Sequence, residues 1–192
     1  VARPVTVGLR ERVSLALGLA FGRESYAVGE GELASYINGF HLDQDSADVA
    51  PAGSSVFPGF TPSDATDRKR NNFGIYADPE TDVSPQVLAN VAARFESYSD
   101  FGERITGKVA VRFQPSQRVT FRAAASTGFR APGLSQIAFG KITTNVIRGE
   151  FIDVGVFPVD HPAALALGSR PLEEETAFNF SGGVAVTPVE NL

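Results

Sequence analysis

His41, Asp43, Asp45 and Asp48 crowd four potential ligands into HLDQDSAD, the kind of oxygen-rich run that holds a calcium ion. A helix-flanked calcium loop also needs a central glycine and a distal glutamate at fixed spacing, and both are missing, so solvated loop acids are the plainer reading, with weak calcium binding as the sharper one. Asp100, Phe101 and Gly102 spell the metal-binding triplet of protein kinases. The glycine-rich phosphate loop and catalytic-loop Asp and Asn that such chemistry requires are absent, and the three read as turn residues. Glu173, Glu174 and Glu175 offer carboxylates, but neighbours in a strand point apart and no second acid is set opposite them, so glycoside hydrolysis has no acid pair. Asn179, Phe180 and Ser181 match a glycosylation acceptor by chance, in mid-strand. Arg130 stands out more, because a guanidinium offers five donors in a rigid fork. It either satisfies carbonyls or a carboxylate where a strand turns or, with Arg122, contributes to a positive surface. None of these groups assembles a catalytic, metal or cofactor site, and no enzyme activity is expected.

The elements that would position these residues are strands of period two. Successive side chains of a strand point to opposite faces, so alternation of apolar and polar residues marks a half-covered sheet. From Arg118 to Thr127 the residues Val119, Phe121, Ala123, Ala125 and Thr127 face one way, and Arg118, Thr120, Arg122, Ala124 and Ser126 the other; Gly128 and Pro132 are expected to stop that strand. Val13 to Gly22 sets Val13, Leu15, Leu17, Leu19 and Phe21 against a face of Ser, Ala and Gly. Mid-strand glycine often marks close approach of a bulky body, here whatever would fill a lumen. Further strands are read at Asn71 to Asp78, ended by Pro79, at Val87 to Ser97, at Arg104 to Gln114 and at Glu173 to Thr187.

The links that follow each of these six strands sort by length. They run long (Ala27 to Arg70), short (Pro79 to Gln86), fairly short (Tyr98 to Glu103), short (Pro115 to Gln117), long (Phe129 to Leu172) and short (Thr187 to Asn191). Every second link is tight, and both very long ones, read as irregular, fall in the other set. That is the plan of an antiparallel up-and-down meander with turns at one rim and loops at the other, as in a transmembrane β-barrel. One inner face of a soluble sandwich or jelly roll would show the same apolar alternation. In the barrel the charged face, with Arg94, Glu96, Lys108, Arg112 and Arg122, lines a wet lumen. In a sandwich it faces bulk water.

Composition narrows the field. A net charge of -5 and a pI near 5.1 provide no basic field for nucleic acid. The absence of Cys removes disulfides and thiol catalysis. No signal peptide is visible and no apolar run approaches the roughly 18 residues of a spanning helix, a test to which spanning strands are blind. With no Met and an opening that reads as mid-protein sequence, the chain is expected to be a section of something longer.

The heptad Ser126, Thr127, Gly128, Phe129, Arg130, Ala131 and Pro132 (STGFRAP) closely resembles a signature of the barrel domain of TonB-dependent outer-membrane receptors. The preceding FESYSDFGERITGKVAVRFQPSQRVTFRA resembles that family's hairpin series, so the close likeness covers about Asn71 to Phe139, with weaker likeness at Val13 to Tyr26 and Pro171 to Thr187. The resemblance implies an all-β section of a transmembrane β-barrel of about six strands over residues 1–192, lacking the plug domain and the C-terminal strands. It implies active uptake of a scarce bulky nutrient, such as a ferric siderophore, cobalamin or a glycan, across the outer membrane of a Gram-negative bacterium. The implied partners are the plug domain of the parent chain, the TonB complex through an N-terminal region, outer-membrane lipid, and a small-molecule ligand at the extracellular loops. Arg94, Glu96, Lys108, Arg112 and Arg122 are then candidates for the lumen wall. A soluble carbohydrate-binding sandwich and a passive porin-like barrel are the alternatives.

Overall fold

The computed structural model describes residues 2–5, 13–40, 42, 50–54 and 58–187. The run His41 to Asp48 and the turn expected at Thr187 to Asn191 fall largely outside them. Two compact units make up the chain: a sheet unit of Val1–Arg23, Asn71–Ala131 and Glu173–Leu192, and a loop unit of Glu24–Arg70 and Pro132–Leu172.

The sheet has seven strands among the described residues, in the order β1 (Ala2–Val5), β2 (Val13–Val28), β3 (Thr66–Ser84), β4 (Val87–Tyr98), β5 (Gly102–Ser116), β6 (Val119–Arg130) and β9 (Glu175–Val186). The meander is antiparallel from β3 through β6 to β9, and β1 lies antiparallel to β2. Six strands were expected; β1 is the addition, too short to carry an alternation. The tight turns are Pro85 with Gln86 and Gln117 with Arg118, and beside each the register shifts by one residue, as a bulge does where a strand bends into a turn. Ser99 to Phe101 joins β4 to β5 at the opposite rim, from which both long links also depart.

Register carries the apolar residues of successive strands onto one face. Val91, Val109, Ala125 and Phe180 form one row, and Val87, Phe113, Phe121 and Val184 another. Phe113 stacks on Phe121 within its row at 6.3 Å. This face is uncovered: Phe21, Ile105, Phe178 and Phe180 are each about three-quarters exposed, while the buried apolar side chains among the described residues, Leu134 and Ala138, both belong to the loop unit. Leu17, Phe113, Phe121 and Phe178 therefore do not converge in a core between two sheets, and the sandwich is set aside.

Two sequence expectations about strand ends and one about a long link are corrected. Pro79 does not end β3, which runs on to Ser84. Ala77 pairs with Ala93 and Glu80 with Asn90, so Asp78 and Pro79 stand between ladder partners, and the missing proline N–H costs the ladder little there. Gly128 does not stop β6 either; it lies opposite Ala177, and the strand ends at Arg130, two residues before Pro132. The segment Phe129 to Leu172 is not irregular. It holds α1 (Leu134–Ala138), the hairpin of β7 (Lys141–Ile147) and β8 (Glu150–Val156), and α2 (Pro162–Ala166). Arg148 and Gly149, with φ of 55° and 85°, make that hairpin's turn, a left-handed pair suited to a two-residue connection.

The glycine face of β2 has an explanation nearer than a lumen filler. A Cβ at Gly18 would fall within the Tyr76 ring of β3, and one at Gly22 would meet the Asn72 side chain. The adjacent strand supplies the bulk that the glycines admit.

Candidate functional site

The face opposite the apolar rows carries the charged residues, and register again decides which meet. Ala92, Lys108, Ser126 and Asn179 form one row; Asn90, Ala110, Ala124 and Ser181 the next; Leu88, Arg112, Arg122 and Gly183 the third. Alanine, serine and glycine keep the middle of this face low, and longer side chains rise around it. The result is an open trough of about 620 Å³ bordered by Asp78, Glu80, Asn90, Lys108, Arg112 and Arg122.

Three of the expected lumen residues, Lys108, Arg112 and Arg122, thus share one concavity, with Arg112 directly opposite Arg122. Like charges facing each other across strands repel. Among the described residues none of the three forms an ion pair, so their field is open to whatever occupies the trough. Arg94 and Glu96 stand apart from the trough and pair with each other at 2.7 Å.

Asn90 was not singled out from the sequence. It is nine-tenths buried; its Nδ2 donates to Asp78 Oδ1 and, at 3.4 Å, to the Pro79 carbonyl, while its Oδ1 has no partner among the described residues. A buried amide oxygen left unpaired costs about 1–3 kcal/mol, so a donor brought by a trough occupant would be well received. Its sequence surroundings, VLANVAAR, give no sign of this role.

The signature heptad takes in the last five residues of β6 and the two that follow it. Ser126 lies opposite Lys108 and Asn179, and Thr127 Oγ1 accepts the Gly107 N–H at 3.0 Å. Phe129 meets Tyr98 edge to face at 6.0 Å and lies 6.2 Å from Phe101. Arg130 is 3.7 Å from Glu175 on β9, both largely exposed, and so sits where a carboxylate can answer it at the strand end. Ala131 leaves the ladder, and the Pro132 carbonyl accepts from Arg70 at 2.7 Å within the loop unit.

At the same rim Arg104 makes a two-pronged pair with Glu174, its Nε donating to Oε1 at 2.5 Å and its Nη2 to Oε2, while its guanidinium lies 5.4 Å from the Phe101 ring centre. Hydrogen bonding from Arg104 holds the Glu174 carboxyl below the usual carboxylate range. The three glutamates are thus divided: Glu174 answers Arg104 and Glu175 faces Arg130. Asp100 and Phe101 lie in the β4–β5 link and Gly102 takes a φ of 100°, which fits their reading as turn residues. No cluster of metal-ligating side chains occurs among the described residues.

Comparison with known proteins agrees with this architecture. A family model described as TonB dependent receptor-like, beta-barrel matches residues 6–190. No curated protein sequence matches the chain. Among solved structures, a point mutant of the ferric enterobactin receptor PfeA from Pseudomonas aeruginosa is 14% identical with a TM-score of 0.62, over 97% of this chain and 23% of that one. The siderophore receptor PirA from Pseudomonas aeruginosa is 14% identical with a TM-score of 0.60, over 98% of this chain and 28% of that one. PirA from Acinetobacter baumannii is 11% identical with a TM-score of 0.61, over 97% of this chain and 23% of that one. At such identities the likeness is one of fold, and the chain spans about a quarter of the length of the structures that it matches.

Proposed function

Because the chain belongs to the TonB-dependent receptor-like β-barrel family, we propose that it forms part of the barrel wall of an outer-membrane receptor that takes up a scarce, bulky nutrient actively, with a ferric siderophore as the cargo. Members of this family are receptors and transporters of the Gram-negative outer membrane, and transport breaks no bond in the cargo. The observation that carries the reading is the uncovered apolar face, continuous in register from β3 to β9, backed by a charged face. In water each exposed Phe, Leu or Val forgoes roughly 1.5–3 kcal/mol of burial, which lipid would restore. The hydrocarbon core also requires every backbone group to be paired, so in this reading the edge strands β1 and β9 of the described sheet are paired within a closed barrel.

In this reading the loop rim is extracellular and the trough faces the lumen. Lys108, Arg112, Arg122 and the unpaired Asn90 oxygen then meet a plug domain of the parent chain, and an inner-membrane gradient relayed by TonB drives release. The siderophore assignment is supported by the similar solved structures, which are siderophore receptors, two of them in complex with enterobactin. The test is uptake of radiolabelled ferric siderophores by iron-starved cells producing the full-length receptor, with and without an intact TonB system. Accumulation that depends on both supports the proposal. Accumulation without TonB favours a passive pore, and binding without iron cargo moves the search to cobalamin or glycans.

A further inference from the structure

The loop unit is held together by ties that cross from one long link to the other. Arg70, the fifth residue of β3 and only 2% exposed, donates Nη2 to the carbonyl of Pro132, 62 positions along the chain, and lies 3.6 Å from Glu24 in the last third of β2. Lys141, which opens β7, donates Nζ to the Pro58 carbonyl and sits 4.2 Å from the centre of the Phe60 ring. Phe60 in turn meets Phe139 edge to face at 6.2 Å. Arg68 reaches Asp160 at 2.6 Å, but both are about half exposed, and such surface pairs contribute little. The buried guanidinium differs in kind: freeing it from its carbonyl and carboxylate without restoring water strands a charge, which is strongly unfavourable. The ammonium is likewise held by an aromatic face and a carbonyl at once.

We propose that the two long links form one mechanical body, with Arg70 and Lys141 as the positioning residues that bind it, so that a ligand touching either link displaces both. The coupling concerns the links themselves and holds whichever cargo the receptor carries.

Hydrogen–deuterium exchange on the intact full-length protein tests it, read in the link that does not carry the substitution. In the first link the Gly59 amide donates to Ser35 and the Gly31 amide to Phe60; in the second, the Gln136 and Ile137 amides donate to Gly133. Lys141→Met should speed exchange at Gly31 and Gly59 about tenfold, and Arg70→Met should do the same at Gln136 and Ile137, with β4 and β5 unchanged. Lys141→Arg, which keeps a cation over the ring, should restore slow exchange at Gly59. Should Arg70→Met prevent folding, Arg70→Lys keeps one donor for Pro132 and should give a smaller rise at the same amides. Faster exchange confined to the substituted residue's own link overturns the proposal. So does a uniform rise that includes β4 and β5, which would make these residues general stabilisers.

Discussion

At single residues the structure turns spacing into tests. Gly18 admits the Tyr76 ring, so Gly18→Ala should destabilise the sheet by about 1–3 kcal/mol, an overpacking cost, and Tyr76→Ala in the same chain should relieve part of it; unfolding midpoints of the four variants measure the coupling. A loss of stability that Tyr76→Ala leaves untouched would mean that the ring is not what Gly18 accommodates. Glu174 yields a pH test. Its folded pKa is depressed by Arg104, so its contribution is present above the unfolded carboxylate range, about 4.3, and is lost as pH falls through the lower folded value. The stability difference between wild type and Glu174→Gln should therefore be constant near neutrality and shrink in acid, as thermal melts across pH would record.

At the scale of the strand, neighbouring residues have opposite fates. Val109 lies on the apolar face and Ala110 lines the trough, one position apart on β5. In a bilayer Val109→Lys should cost roughly 2–4 kcal/mol if it lies near the midplane, and Ala110→Lys far less; denaturant unfolding of the receptor in lipid vesicles compares them. Equal costs would mean that both faces meet the same medium. Spin labels at Val91, Ala92, Ala93, Arg94 and Phe95 put the same question to β4: lipid-soluble oxygen should reach Val91, Ala93 and Phe95, and a polar relaxation agent Ala92 and Arg94. Shielding of the apolar set from both agents would return it to a protein core.

Over the whole chain the charge is segregated. The loop unit has six Lys and Arg against eleven Asp and Glu, so the entire net charge of -5 resides there and the sheet unit is balanced. Several of the unit's cations are engaged internally: Arg68 with Asp160, Lys69 with Asp67, Arg70 with Pro132 and Lys141 with Pro58. An acidic unit repels anions over about a Debye length, roughly 10 Å at 0.1 M salt. If the receptor reading holds, an anionic tris-catecholate iron chelate should associate more slowly as salt is lowered, and a neutral tris-hydroxamate chelate should be indifferent. Stopped-flow association rates decide it, and faster capture of the anion at low salt would mean that a basic surface, not this unit, meets the chelate.

Strand identity was legible because it is local: the alternation of Val119 to Thr127 obliges one apolar and one polar face, and the sorting of link lengths gave the meander. Those two signals, with the STGFRAP heptad, carried the fold class from sequence alone. They could not say whether the apolar face is covered, since a bilayer and a second sheet demand the same residues; in the structure Phe21, Ile105 and Phe180 stand exposed rather than in a core. Pro79, Gly18 and Gly128 were misread or half read because each one's cost depends on what lies across the ladder. The hairpin at Lys141 to Val156 was hidden among prolines and glycines. Arg70 closes the long link Ala27 to Arg70, read as irregular; its carbonyl partner comes 62 positions later, and no periodicity spans that gap. Periodicity reports the faces of an element, while the partners of those faces exist only once distant segments have been brought together.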